Sequence, residues 1–244
     1  MSSPRNDSAS THSLLGVITA RGGSKGIPKK NVVLCGGIPL LAWTIRAALE
    51  SQVVSRLVLS TDDEEIAEVG TSYGAEVPFM RPARLAEDWT PSIDVLINVL
   101  EHLERTEGYR PEYVLLLQPT SPLRREIDIR LAWEKMLSTD ALSVIGVSPA
   151  HQHPFWIKRM DAEGRLSSFL PTPVPAVRQE LPPAYIVNGA IYLSSRETIL
   201  ANKSFYSDRT YGYVMPVERS VDIDTEFDLQ LAELLMQKDL YGAR

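Results

Sequence analysis

The sequence contains a single cysteine, Cys35, so no internal disulfide can form and a reducing compartment is the expected setting. It also lacks any excess of positive charge. Its 25 Lys and Arg residues against 31 Asp and Glu leave a formal charge of -6, and the pI near 5.3 argues against a broad nucleic-acid-binding surface. No stretch approaches the roughly 18 consecutive apolar residues that a membrane helix requires. Residues 1–13 are polar without an apolar h-region, so they read as a disordered tail rather than a secretory signal. The expectation is a cytoplasmic protein with neither nucleic acid nor membrane as partner. Three common signatures are missing as well: a G-x-G-x-x-G dinucleotide fingerprint, a Walker A loop and a G-x-S-x-G nucleophile elbow.

What is present begins with T-A-R-G-G-S-K-G-I-P-K-K-N at residues 19–31, directly behind the apolar run Leu14 to Ile18. Gly22, Gly23 and Gly26 give the backbone freedom to wrap an anion, and Arg21, Lys25, Lys29 and Lys30 supply fixed charge within short reach of one point. A nucleoside triphosphate suits such a loop. The competing reading is a solvated basic turn.

The length of 244 residues, 44% of them apolar, suits one large α/β domain or one carrying a small excursion. Strands are expected at Leu14–Ile18, Val54–Leu59, Tyr113–Leu117, Ala141–Val147, Gly189–Leu193 and Gly212–Pro216, with a short extended piece at Glu76–Met80. Helices are expected at Pro39–Leu49, Asp63–Tyr73, Ser92–Thr106, Ile127–Leu137, near Ser195–Leu200, and from Thr225 to Lys238. Thr61 or Asp62 can cap the second helix. The last helix is expected to bury Phe227, Leu231, Leu234 and Leu235. Residues 148–185 break the pattern with His151, His153 and seven prolines, and read as an insert suited to a lid or an oligomer contact. The pair of histidines lacks a nearby third ligand for zinc. The fold class is therefore α/β, a mononucleotide-binding three-layer sandwich with a mostly parallel sheet, spanning 14–244 and interrupted by the insert.

Two further constellations lie at strand ends. In S-V-D-I-D-T-E-F-D-L an extended backbone turns Asp222 and Asp224 to one side while Val221 and Ile223 face the core, a pairing of hard oxygen donors that suits Mg²⁺. The alternative is that Asp224 or Thr225 merely caps the terminal helix. Q-P-T-S-P-L-R at 118–124 ends the most hydrophobic strand, where two prolines forbid further pairing and Gln118, Thr120 and Ser121 offer polar groups.

Together with R-Q-E-L-P-P-A-Y-I-V-N-G-A-I-Y, these strings resemble the acylneuraminate cytidylyltransferases, from about residue 14 to 237. The resemblance implies a magnesium-dependent homodimer that joins CTP to a 2-keto-3-deoxy sugar acid and releases pyrophosphate. It matches Arg21, Gly22, Gly23 and Lys25 to the triphosphate loop and Lys30 to a lysine beside the reacting phosphate. Asn31, Arg81, Thr90 and Ser92 fall around cytosine and ribose, and Asp222 and Asp224 match the metal pair. Gln118, Thr120, Ser121, Arg178 and Asn188 fall on the sugar side, while Phe205 and Tyr206 match aromatics that reach a partner subunit. Ile186-Val187 replaces an Arg-Pro found in many members, and Gly22-Gly23 replaces a Gln-Asn. The first departure points toward a bacterial nine-carbon acid such as legionaminic or pseudaminic acid. A Kdo-type cytidylyltransferase and a non-catalytic nucleotide-binding protein are the alternatives.

Overall fold

A computed structural model describes residues 12–170 and 181–238. In chain order its elements are β1 (Leu14–Thr19), β2 (Leu34–Cys35), β3 (Ile38–Pro39), α1 (Leu40–Glu50), β4 (Arg56–Ser60), α2 (Glu64–Ser72), α3 (Ser92–Glu107), β5 (Tyr113–Leu117) and α4 (Glu126–Ser138). There follow β6 (Ser143–Pro149), β7 (Lys158–Met160), β8 (Leu166–Ser168), β9 (Tyr185–Ser195), α5 (Arg196–Asn202), β10 (Thr210–Val214) and α6 (Glu226–Gln237). Residues 12 and 13, placed by the sequence in the disordered tail, are tied to β5: the Ser13 carbonyl accepts from the Tyr113 amide at 3.0 Å, and the His12 ring meets Glu112 at 2.7 Å.

Six strands form one sheet in the order β10-β6-β9-β5-β1-β4. The pairs β1–β4, β1–β5 and β10–β6 are parallel, whereas β9 runs antiparallel to both β5 and β6. The sheet is thus mixed, and β9 is longer than the Gly189–Leu193 strand expected from sequence. An apolar run carries no mark of its direction, so the reversal could not be read in advance. Strand order reverses about β1, whose neighbours are reached by crossovers to either side, and this switch opens a crevice at the carboxyl ends of the parallel strands.

Alternation along the strands divides the core. Leu14 and Ile18 of β1 and Leu115 and Leu117 of β5 meet Leu41, Ile45, Ile66, Trp133 and Met136 from α1, α2 and α4. Leu15, Val17, Val114 and Leu116 face the opposite layer of Leu96, Val99, Leu100 and Leu103 from α3 and Ile199 from α5. A third, smaller cluster lies at the crevice end. Ile27 of the glycine loop, Leu123 of the proline loop and Ile223 of the acidic segment pack there with Cys35, Leu40 and Ala232. Burial of side chains this size contributes about 2 kcal/mol each, so three loops distant in sequence are pinned to one another.

Two helix details differ from expectation. Asp63 caps α2, accepting from the Ile66 amide at 3.0 Å, because Asp62 is turned toward the glycine loop. In α6, Ala232 is buried with Leu229, Leu235 and Met236 packed beside it, while Phe227 is 72% and Leu234 46% exposed. Positions 229, 232, 235 and 236 share one helical face just as the expected 227, 231, 234 and 235 do, and the docking of Ile223 selects the former. Thr225 caps this helix in a capping box with Asp228.

The insert carries the β7–β8 hairpin, with Met160, Leu166 and Phe169 exposed. His153 hydrogen bonds to the Pro182 carbonyl at 2.9 Å and stacks on Phe155. Arg178 lies outside the described residues.

Candidate active site

β1, β4 and β5 all end at one edge, and the loops leaving them line a cavity of about 360 Å³. Its wall includes Arg21, Ser24, Lys25, Gly26, Lys30 and Asn31 from the first loop, Arg81, Thr90 and Ser92 from the segment before and into α3, Gln118 and Thr120 after β5, and Asp224. Residues as much as two hundred positions apart therefore share one surface.

The glycine loop is joined directly to the acidic segment. The Lys30 ammonium donates to Asp224 Oδ1 at 3.0 Å and to the Ile223 carbonyl at 2.8 Å. Gly26 lies so close to Asp224 that a Cβ there would stand 2.2 Å from the Asp224 carbonyl oxygen. Ile223 is fully buried between its two exposed acidic neighbours, the alternation expected for an extended strand. Its amide donates to the Thr120 carbonyl at 2.8 Å, which fixes the acidic segment against the proline loop.

Asp222 is exposed as a residue and lies outside the cavity lining, with its carboxyl turned in against the Thr120 side chain. Displaced water raises its pKa above the ordinary carboxylate range; nearby Asp224 adds to the rise, and the Thr120 hydroxyl and Lys30 oppose it. A Cβ on Gly189 would lie 2.5 Å from Gln118 Oε1, 3.6 Å from Ser121 Oγ and 3.7 Å from Asp222 Oδ2. Gly189 also has φ of 73°, so glycine is needed there both for backbone conformation and for the close approach of these polar groups.

Other expected contacts are distributed differently. Arg81 is 6% exposed and is held by Ser60, donating to its hydroxyl at 3.0 Å and to its carbonyl. Burial brings its pKa down to about 10, with Asp62 opposing the shift and Arg21 adding to it. Asn31 donates to the Arg21 carbonyl at 2.9 Å, shaping the loop from within. Lys29 turns away from the cavity to pair with Glu65; it is also the loop residue in the left-handed conformation, with φ of 51°. Gly22 lies off the cavity wall: its amide donates to Asp62 at 3.1 Å, and a Cβ would meet Asp63 at 2.7 Å. Nothing lies within 4 Å of a Cβ on Gly23.

Ser121 is buried and donates to the Asn188 carbonyl at 3.4 Å. Asn188 is buried too, donating to Ser220 at 3.0 Å and accepting from the Ala190 amide at 3.2 Å. Both side chains brace the loops. Phe205 corrects the expectation of an aromatic reaching another subunit, because it is 6% exposed and packs in the core with Tyr192. Tyr206 beside it is 56% exposed.

Sequence reasoning missed Asp88. Its Oδ1 meets Arg21 Nη1 at 2.8 Å and its Oδ2 meets Lys25 Nζ at 2.5 Å. An acid in a polar loop is the commonest of surface features, and nothing in its spacing distinguished it.

Among the described residues no group of three His, Cys, Asp or Glu side chains is arranged as a metal site. Asp224, paired with Lys30 on the cavity wall, and Asp222, two residues away beside Thr120, are two hard oxygen donors of one segment. That donor set fits Mg²⁺, which takes one or two carboxylates and draws its other ligands from water and phosphate oxygens.

Comparison with known proteins identifies the family of the chain. Residues 15–243 match the family model described as cytidylyltransferase. The chain is 40% identical over 231 residues to the CMP-N,N'-diacetyllegionaminic acid synthase of Legionella pneumophila, covering 92% of this chain and 96% of that one. It is 32% identical over 222 residues to the pseudaminic acid cytidylyltransferase of Campylobacter jejuni, covering 90% and 94% respectively. The N-acylneuraminate cytidylyltransferase of Streptococcus agalactiae serotype V is 37% identical over 214 residues, 87% of this chain but 50% of that longer protein. Among solved structures, a CMP:2-keto-3-deoxy-manno-octonic acid synthetase complexed with CTP superposes with a TM-score of 0.70 at 18% identity, covering 93% of this chain and 100% of the other. That last likeness is one of fold. No described helix is long and apolar enough to cross a membrane. The chain belongs to the acylneuraminate cytidylyltransferase family of CTP-dependent nucleotidyltransferases.

Proposed function

We propose that the protein transfers the cytidylyl group of CTP to the anomeric 2-hydroxyl of a nine-carbon 2-keto-3-deoxy sugar acid of the sialic, legionaminic or pseudaminic type. The bond from that oxygen to the α-phosphorus forms while the bond to the β-phosphate oxygen breaks, and pyrophosphate leaves. One observation carries the reading: Lys30 and Gly26 bring the cationic loop and the Asp222–Asp224 segment into direct contact at the carboxyl edge of the sheet. Two anions must react there, so fixed positive charge is the main requirement.

Arg21, Lys25 and Lys30 hold the triphosphate and offset charge on the transferring phosphoryl group. Arg81, Asn31, Thr90 and Ser92 form the nucleoside side of the cavity. Gln118 and Thr120 orient the sugar acid, with Gly189 keeping the space open, and Asp222 accepts the proton of the attacking hydroxyl. Asp222 and Asp224 would hold Mg²⁺, which when bound supplies charge neutralisation and Lewis-acid polarisation of the phosphate oxygens. The exposed Met160, Leu166 and Phe169 of the insert are the apolar surface through which two copies join.

The test is pyrophosphate release across four nucleoside triphosphates and N-acetylneuraminic, legionaminic, pseudaminic and Kdo acids. CTP with one of the nine-carbon acids should give the fastest release. Release stimulated best by Kdo, or by none of the four acids, would overturn the assignment.

A further inference from the structure

Arg21 and Lys25 are gripped by an anion of the chain's own. The two oxygens of Asp88 are divided between them, one to each cation, at 2.8 and 2.5 Å. Asp88 belongs to the segment between Leu85 and α3 and lines the same cavity as the glycine loop. The side chains remain partly open to water, 37% for Asp88, 30% for Arg21 and 80% for Lys25. Such pairs exchange readily, because each is weak in water.

We infer that Asp88 is an internal competitor for the polyphosphate at Arg21 and Lys25, one that the nucleotide displaces on entry and that helps expel pyrophosphate after transfer. The inference rests on reading those two cations as polyphosphate contacts. A triphosphate presents several negative charges to the same donors and outcompetes a single carboxylate. Pyrophosphate is held by the same donors once its bond to the nucleotide has broken, and the returning carboxylate then lowers its residence. Asp88 also offsets the repulsion between Arg21 and Lys25. Glu87 is the natural control: it lines the same cavity and makes no ion pair among the described residues.

The experiment measures Kd for CTP and for pyrophosphate by titration calorimetry on full-length wild type, Asp88→Asn, Asp88→Ser, Glu87→Gln and Lys25→Ala, each checked by its thermal melt. Asp88→Asn and Asp88→Ser should bind pyrophosphate roughly fivefold more tightly than wild type, and CTP more tightly in parallel, the scale set by two exposed ion pairs. Glu87→Gln removes the same formal charge and should change either Kd less than twofold. Tightening of equal size in Glu87→Gln, or unchanged or weakened binding in both Asp88 variants, overturns the inference. Lys25→Ala separates the two readings, because binding unaffected by that change removes the polyphosphate site itself, whereas weakened binding leaves the site intact and tests Asp88 alone.

Discussion

The Lys30 ammonium and the Asp224 carboxylate, 194 positions apart in sequence, meet at 3.0 Å. Lys30 is 16% exposed at its side chain and Asp224 is 75% exposed, so the lysine is anchored from beneath while the acid keeps its outer oxygen for the cavity. Asp224→Asn and Lys30→Met should each lower turnover on the order of a hundredfold or more, the loss typical of one aimed electrostatic group. Far-ultraviolet dichroism should stay unchanged. Magnesium-dependent turnover at the wild-type rate in Asp224→Asn would remove that residue from the site.

Gly26 and Gly23 make a contrasting pair. A Cβ at position 26 meets the Asp224 carbonyl at 2.2 Å, and at position 23 nothing within 4 Å. Gly26→Ala should destabilise by about 1–3 kcal/mol and reduce turnover by separating the loop from the acidic segment. Gly23→Ala should shift stability by no more than about 0.5 kcal/mol. Denaturant melts and steady-state rates of the two variants provide the comparison.

Asp128 is fully buried, accepting from Arg219 at 2.7 and 3.1 Å and from the Tyr213 hydroxyl at 3.1 Å. This network ties α4 to the turn that leads into Asp222. Asp128→Ala removes the two acceptor oxygens that Arg219 and Tyr213 share and should cost about 3 kcal/mol. As the network positions rather than binds, kcat should fall more than KM for CTP rises.

Cys35 is buried beside Met236, and burial pushes its thiol up to about 12, with Glu233 adding to the shift. The native protein should resist alkylation by iodoacetamide at pH 8 and react fully once unfolded. The folded state holds the thiol proton more tightly than the unfolded chain does. This contribution to stability is therefore intact below the ordinary thiol value of 9.0 and is lost progressively as pH rises toward 12.

Much of this arrangement is legible in the amino-acid sequence. Period-two alternation separated Asp222 and Asp224 from Val221 and Ile223, and the prolines after Leu117 marked the end of β5 at the ligand edge. Chain direction was not legible, since the Tyr185–Ser195 run reads alike whichever way it pairs. The face of α6 was ambiguous because two apolar stripes overlap there, and only the position of Ile223 decides between them. Asp88 and the bracing role of Asn188 belong to tertiary geometry: an acid in a loop and an amide in a strand acquire their partners from segments far along the chain.

The reversed strand β9 also governs when the molecule can be completed. It fills the place between β5 and β6, so the outer edge of β5 stays without a neighbour during synthesis until residues 185–195 emerge. The nascent sheet of β4, β1 and β5 carries an open, apolar flank throughout that interval, which is when self-association is most dangerous. Arrival of β9 closes that flank by joining β5 to β6 and carries Asn188 and Gly189 to the crevice, but β10 and the Asp222–Asp224 segment are made later still, so the site can be completed only after the sheet's open flank has been sealed.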